Sequence, residues 1–144
     1  MITKVVIDTN VVLKWIPGKN EEGVGMARKI YGYIKKKDVE MWAPEYMLLE
    51  SLQVFVRKRL MKLDEAIEGV ELLRNCGLIF EQIGVESFTE IAGISQKFDQ
   101  SVYDSMFLYL AKKRNCKLIT FDEKVWKRCE LAINPKEFLE MVEI

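Results

Sequence analysis

The 144 residues carry 22 basic and 22 acidic side chains, so no net field draws the chain to polyanions or membrane surfaces, and any nucleic acid has to be held by local charge. Apolar residues at 49% and charged ones at 31% exclude a disordered chain, and the length favours one domain over residues 1–144. Three cysteines without a pairing motif, and no histidine, exclude a Cys/His zinc site and fit a reducing cytoplasm. The apolar stretch after Met1-Ile2-Thr3-Lys4 is broken by Asp8, too short for a signal peptide, and no run is long enough to span a bilayer. The expectation is a cytoplasmic protein without membrane attachment.

In chain order, Val5-Val6-Ile7 is apolar and β-branched throughout, which predicts a strand covered on both faces. A short helix over 11–15 follows, then the loop Pro17-Gly18-Lys19-Asn20-Glu21-Glu22-Gly23 and a helix over 23–36. Residues 40–43 read as a weaker strand, and Pro44 is placed in the first turn of a long apolar helix over 44–60. A helix over 64–75, stopped by Gly77, leads to a strand over 78–83 and to helices over 85–96 and 101–113. Lys117-Leu118-Ile119-Thr120-Phe121 is the second strong strand. A helix over 123–129, a strand over 131–133 and a helix over 135–142 opened by Pro135 complete the chain. Strands alternating with helices imply parallel β-α units in a three-layer α/β/α fold. Gly23-Val24-Gly25-Met26-Ala27-Arg28 has the outward form of a dinucleotide loop, but it follows a polar loop and places Arg where the third small residue belongs; no P-loop is present either.

Aspartate is scarce, with six residues, and three of them occupy strand ends or a helix's first turn. Asp8 ends the first strand and Asp122 the strongest later one; in an open α/β sheet, ligands bind beyond the carboxyl ends of the strands. Each is equally readable as a helix N-cap. Asp104, in Ser101-Val102-Tyr103-Asp104, fits a capping box, yet a first-turn carboxylate also projects towards the sheet edge. Glu50 is the only formal charge between Tyr46 and Val56, on a helix whose composition predicts extensive burial. There a carboxylate needs a partner, a proton or a metal, and Arg57 or Arg59 is the alternative partner. Together the four acids favour a metal site, and carboxylate oxygens without His or thiolate suit Mg²⁺ or Mn²⁺. Such a site suits phosphate-ester hydrolysis without a protein nucleophile. Thr9, Asn10 and Thr120 stand next to Asp8 and Asp122, where they either orient the carboxylates or serve only local turns.

Val6-Ile7-Asp8-Thr9-Asn10, Ala43-Pro44 leading to Leu49-Glu50, Tyr103-Asp104 with the helix through Leu110-Ala111, and Leu118-Ile119-Thr120-Phe121-Asp122-Glu123-Lys124 resemble the PIN-domain family of metal-dependent ribonucleases, and within it the VapC-like toxins of type II toxin–antitoxin pairs. The resemblance covers nearly the whole chain. It implies about five parallel strands in the order 3-2-1-4-5, an acidic pocket of Asp8, Glu50, Asp104 and Asp122 holding Mg²⁺ or Mn²⁺, RNA phosphodiester hydrolysis, a homodimer and inhibition by an antitoxin protein.

Other readings are a catalytically weak PIN-like RNA-processing or binding module, which the complete set of acids argues against, and a receiver-type phosphoryl-transfer domain, which leaves Glu50 without a role. For RNA phosphates the cationic stretches are Lys35-Lys36-Lys37, Arg57-Lys58-Arg59 and Lys112-Lys113-Arg114, all at predicted helix C-termini, where the helix dipole also favours them. Trp15, Trp42 and Trp126 are aromatic groups able to stack bases, with core packing as the alternative for Trp42 and Trp126. The apolar helices over 44–60 and 64–75 carry more oil than one sheet face needs, as a dimer or antitoxin groove would require.

Overall fold

The computed structural model describes residues 3–36 and 38–143. Met1, Ile2 and Lys37, the last being the third member of one cationic stretch, lie outside the described residues. Five parallel strands, β1 Thr3–Ile7, β2 Val39–Pro44, β3 Ile79–Glu81, β4 Lys117–Ile119 and β5 Ala132–Ile133, form one sheet in the order β3-β2-β1-β4-β5, as the resemblance implied. The all-apolar segments take the centre. Val6 pairs with Trp42 on one side and Leu118 on the other, and Ile7 pairs with Ile119. Val5, Val6, Ile7, Leu118 and Ile119 are buried, which is why neither strand alternates apolar with polar residues.

Helices cover both faces. After β1 come α1 Thr9–Val12 and a 3₁₀ turn Leu13–Trp15; then α2 Val24–Lys35, α3 Tyr46–Gln53, α4 Leu63–Arg74, α5 Phe88–Phe98, α6 Val102–Lys113, α7 Glu123–Arg128 and α8 Pro135–Val142. The most buried of these, α6, packs against β1, β2 and β4 through Phe107, Leu108, Leu110 and Ala111, with α5 beside it, while α2 packs with α8. None of the helices described is long and apolar enough to cross a membrane.

Three expectations about the chain over 44–60 are corrected. Pro44 ends β2 opposite Glu81 and does not open the helix; with no N–H to donate, proline suits a strand's last position, and the Glu45 N–H makes the next bond, to the Glu81 carbonyl at 2.9 Å. The helix itself changes pitch. α3 passes at Val54 into a π turn, Val54–Lys58, in which the Arg59 N–H reaches back five residues to the Val54 carbonyl at 2.9 Å. Arg59 then donates to the carbonyls of Ile16 and Leu13 and pairs with Glu21, clamping the polar loop after β1 onto the helix end. Nor is the helix largely buried: within α3 only Met47 and Ser51 are, and Leu49 is 62% exposed.

Further along, Gly77 has φ +111°, and a Cβ there would stand 2.5 Å from Ile34 Cγ2, so the stop after α4 is a position only glycine fits without strain. The expected strand over 78–83 shortens to β3, and the helix over 85–96 begins as a 3₁₀ turn, Val85–Ser87, before α5.

Candidate active site

β1 and β4 are neighbours where the strand order reverses, and the turns leaving their carboxyl ends are stitched to each other. Asp8 caps α1, its Oδ1 accepting the Thr9 N–H at 2.7 Å; Asp122 caps α7, its Oδ1 accepting the Lys124 N–H at 3.0 Å. Capping and convergence on the cleft therefore coexist. The wholly buried Thr120 hydroxyl donates to Asp8 Oδ2 at 2.8 Å and accepts from the Asn10 amide at 2.9 Å and the Asp122 N–H at 3.0 Å. Asn10 Oδ1 accepts the Phe121 N–H at 3.0 Å, closing the seam.

The other two acids arrive on helices. Ser101 Oγ caps α6 by accepting the Asp104 N–H at 3.0 Å, leaving the Asp104 carboxylate towards the cleft. Glu50 sits mid-helix on α3, and neither Arg57 nor Arg59 pairs with it; its Oε1 accepts the buried Thr9 hydroxyl. Asp8, Glu50, Asp104 and Asp122 thus line one cleft of about 830 Å³, walled on the α3 side by Tyr46, Leu49, Gln53, Val54, Arg57 and Lys58.

The carboxylates act on one another electrostatically. Burial pushes Asp8 up to about 7, with Asp104 and Glu50 adding to the rise and hydrogen bonds from Thr120 and Thr9 opposing it. Glu50 is raised by burial, against the Thr9 hydroxyl, and by Asp104; Asp104 is raised by burial and by Asp122. In the side-chain conformers present, no three carboxylate, thiol or imidazole groups among the described residues stand close enough to share one ion. The acids share a cleft without forming one coordination sphere in these conformers. The donor set is nevertheless hard oxygen throughout, and its repulsion is of the kind a dication relieves, so the residues fit Mg²⁺ or Mn²⁺ by chemistry.

Among the described residues of the cationic stretches, only Arg57 and Lys58 line this cleft. Lys113 and Arg114 are drawn to Glu81, the former at 2.6 Å, and Lys112 to Glu90 at 3.4 Å. Trp15 donates to the Ala27 carbonyl at 2.8 Å, and Trp42 lies under Arg114, 3.9 Å from its ring centre. What the sequence reading missed is the tyrosine pair at the rim: Tyr46 and Tyr103 stack with centroids 5.3 Å apart and planes 15° from parallel. The available signal was their spacing, Tyr46 one helical turn before Glu50 and Tyr103 adjacent to Asp104.

A parallel three-layer domain with carboxylates gathered at its switch point defines a class of α/β proteins built around an acidic cleft. The PIN domain family model matches residues 5–130, and the chain belongs to that family. Its fold is shared by PAE2754 from Pyrobaculum aerophilum (TM-score 0.69, 14% identity, 98% of this chain and 96% of that one). It is shared also by VapC20 of Mycobacterium tuberculosis, described as a sarcin-ricin loop cleaving toxin (0.65, 13%, 83% and 90%). VapBC2 from Rickettsia felis, bound to a promoter DNA fragment, is a third such structure (0.67, 14%, 93% and 98%). A search of curated proteins gave no match.

Proposed function

We propose that this protein is a metal-dependent ribonuclease that hydrolyses RNA phosphodiester bonds, acting as the toxin of a VapBC-type pair. The observation that carries the reading is the gathering of Asp8, Glu50, Asp104 and Asp122 along one cleft at the switch point, where burial, with neighbouring carboxylates adding to it, raises the proton affinity of Asp8, Glu50 and Asp104. Asp8, Glu50 and Asp104 would hold Mg²⁺ or Mn²⁺, with the more exposed Asp122 at the rim. When bound, such an ion supplies neutralisation of phosphate charge and activation of water.

The chain's own groups do the positioning. The Thr9 N–H and the Thr120 hydroxyl fix the two oxygens of Asp8, and the Thr9 hydroxyl fixes one oxygen of Glu50, which orients both carboxylates while leaving lone pairs for a ligand. Arg57 and Lys58 offer positive charge to the phosphates flanking the scissile one. The likeness to VapC20 and VapBC2 supports an antitoxin protein as partner. The exposed Leu49, Val56, Leu60, Leu63 and Ile67 on and around α3 and α4 supply an apolar surface for that partner or for a homodimer. Three free cysteines accord with a cytoplasmic setting.

The test is incubation of purified protein with mixed RNA in Mn²⁺ or Mg²⁺, then in EDTA, beside Asp8→Asn and Asp104→Asn. Cleavage should disappear in chelator and in both variants; cleavage unchanged in either condition overturns the reading.

A further inference from the structure

Tyr46, Glu50, Gln53 and Arg57 all line the cleft; the first three, spaced four and three residues apart, form one stripe of α3, and Arg57 continues the wall from the π turn. On α3 the stripe runs roughly 10 Å from its aromatic at the helical rise per residue, with the cation beyond it. Its acid, Glu50, lies between them and faces Asp8 and Asp104 electrostatically. A single strand laid along this wall with a phosphate at the acids meets the cations on one side and the tyrosines on the other.

The tyrosines are free to receive it. One face of Tyr103 is taken by Tyr46, the residue remains 56% exposed, and neither phenol hydrogen-bonds to protein among the described residues. The tryptophans are otherwise engaged, Trp15 with the Ala27 carbonyl and Tyr31, Trp42 with Glu40 and Arg114, while Trp126 lines a separate cavity. Base stacking on aromatic rings is the sequence-tolerant means by which proteins hold single-stranded nucleic acid.

We propose that the Tyr46–Tyr103 pair is a stacking platform for one base of a single-stranded RNA, next to the phosphate that a dication at Asp8, Glu50 and Asp104 would hold; this rests on the ribonuclease reading above. Tyr103 is the outer ring and bears the base, and Tyr46 holds Tyr103 in place from behind.

The test uses an RNA oligonucleotide that the wild type cuts at one position, carrying 2-aminopurine at successive sites and bound by the Asp8→Asn protein in Mn²⁺. Fluorescence should be quenched at one site beside the cleavage position. Adding Tyr103→Leu should abolish that quenching and weaken binding roughly 5- to 150-fold, whereas Tyr103→Phe should retain both. Circular dichroism of each variant establishes that the fold is kept, and the Phe variant decides the matter should Leu unfold the chain. Quenching that survives Tyr103→Leu, or is lost equally in Tyr103→Phe, overturns the platform while leaving the nuclease standing. Failure of the wild type to cut any RNA in Mn²⁺ overturns both.

Discussion

Thr120 donates its hydroxyl proton to Asp8 Oδ2 at 2.8 Å from 112 residues away, and every hydrogen-bonding capacity of that hydroxyl is engaged. Thr120→Val keeps the shape but leaves the Asp122 N–H without its acceptor, the Asn10 amide with only its 3.5 Å contact to Asp8 Oδ2, and Asp8 without its hydroxyl donor. Mn²⁺ affinity, measured by titration calorimetry, should fall about 10- to 100-fold, with Thr120→Ser recovering most of it. Unchanged affinity in the Val variant would mean that Asp8 needs no such support.

The proton on Asp8 links pH to stability. Its pKa is raised from 3.8 to about 7, chiefly by burial, so the folded chain holds this proton more tightly than the unfolded one. The associated stabilisation is complete below the unfolded value and is lost as the pH rises through about 7. In EDTA, the melting temperature of the wild type should therefore fall relative to Asp8→Asn between about pH 5 and about pH 8. Added Mn²⁺ should raise it more at the higher pH, where no proton has to be displaced. A gap between the two proteins that is independent of pH counts against this assignment.

Arg59 holds the loop after β1 by donating to the carbonyls of Ile16 and Leu13 and pairing with Glu21 at 3.2 Å, with its own side chain only 17% exposed. Arg59→Met leaves those acceptors unpaired and should cost about 2–4 kcal/mol in urea unfolding. A loss below about 0.5 kcal/mol would show that the loop is held by other contacts.

Gly77→Ala places a methyl group against Ile34 at a left-handed backbone position. The expected loss is about 2–4 kcal/mol by the same measurement. A neutral substitution would mean that the turn relaxes freely.

Much of the architecture was legible because local and global preferences agree. Val5-Val6-Ile7 and Leu118-Ile119 are apolar on both faces and became the central strands, and Ser101 and Asp8 are short polar residues that became caps. The failures share a cause. Pro44 satisfies a helix's first turn and a strand's last residue equally well, and only its pairing opposite Glu81 decides between them. The apolar composition of α3 predicts burial, yet burial depends on what covers the helix, and among the described residues Leu49 is left 62% exposed. Glu50 lacks a cationic neighbour in sequence because its partner, the Thr9 hydroxyl, lies 41 residues away. The tyrosine pair was likewise hidden, since stacking joins α3 and α6 only once the sheet has placed both helices at the same edge.

The widened turn at Val54–Lys58 accommodates one more residue than an α-helical turn of the same rise. Each residue of an α-helix advances the side-chain direction by about 100°. The extra one lets a single rod serve two masters, its first half turned to the carboxylates and its far end to the segment that follows the opening strand. Excising one residue there would leave the acids in register while swinging Arg59 off the carbonyls it grips, so reaction and scaffold meet at a joint whose length, more than its composition, is under constraint.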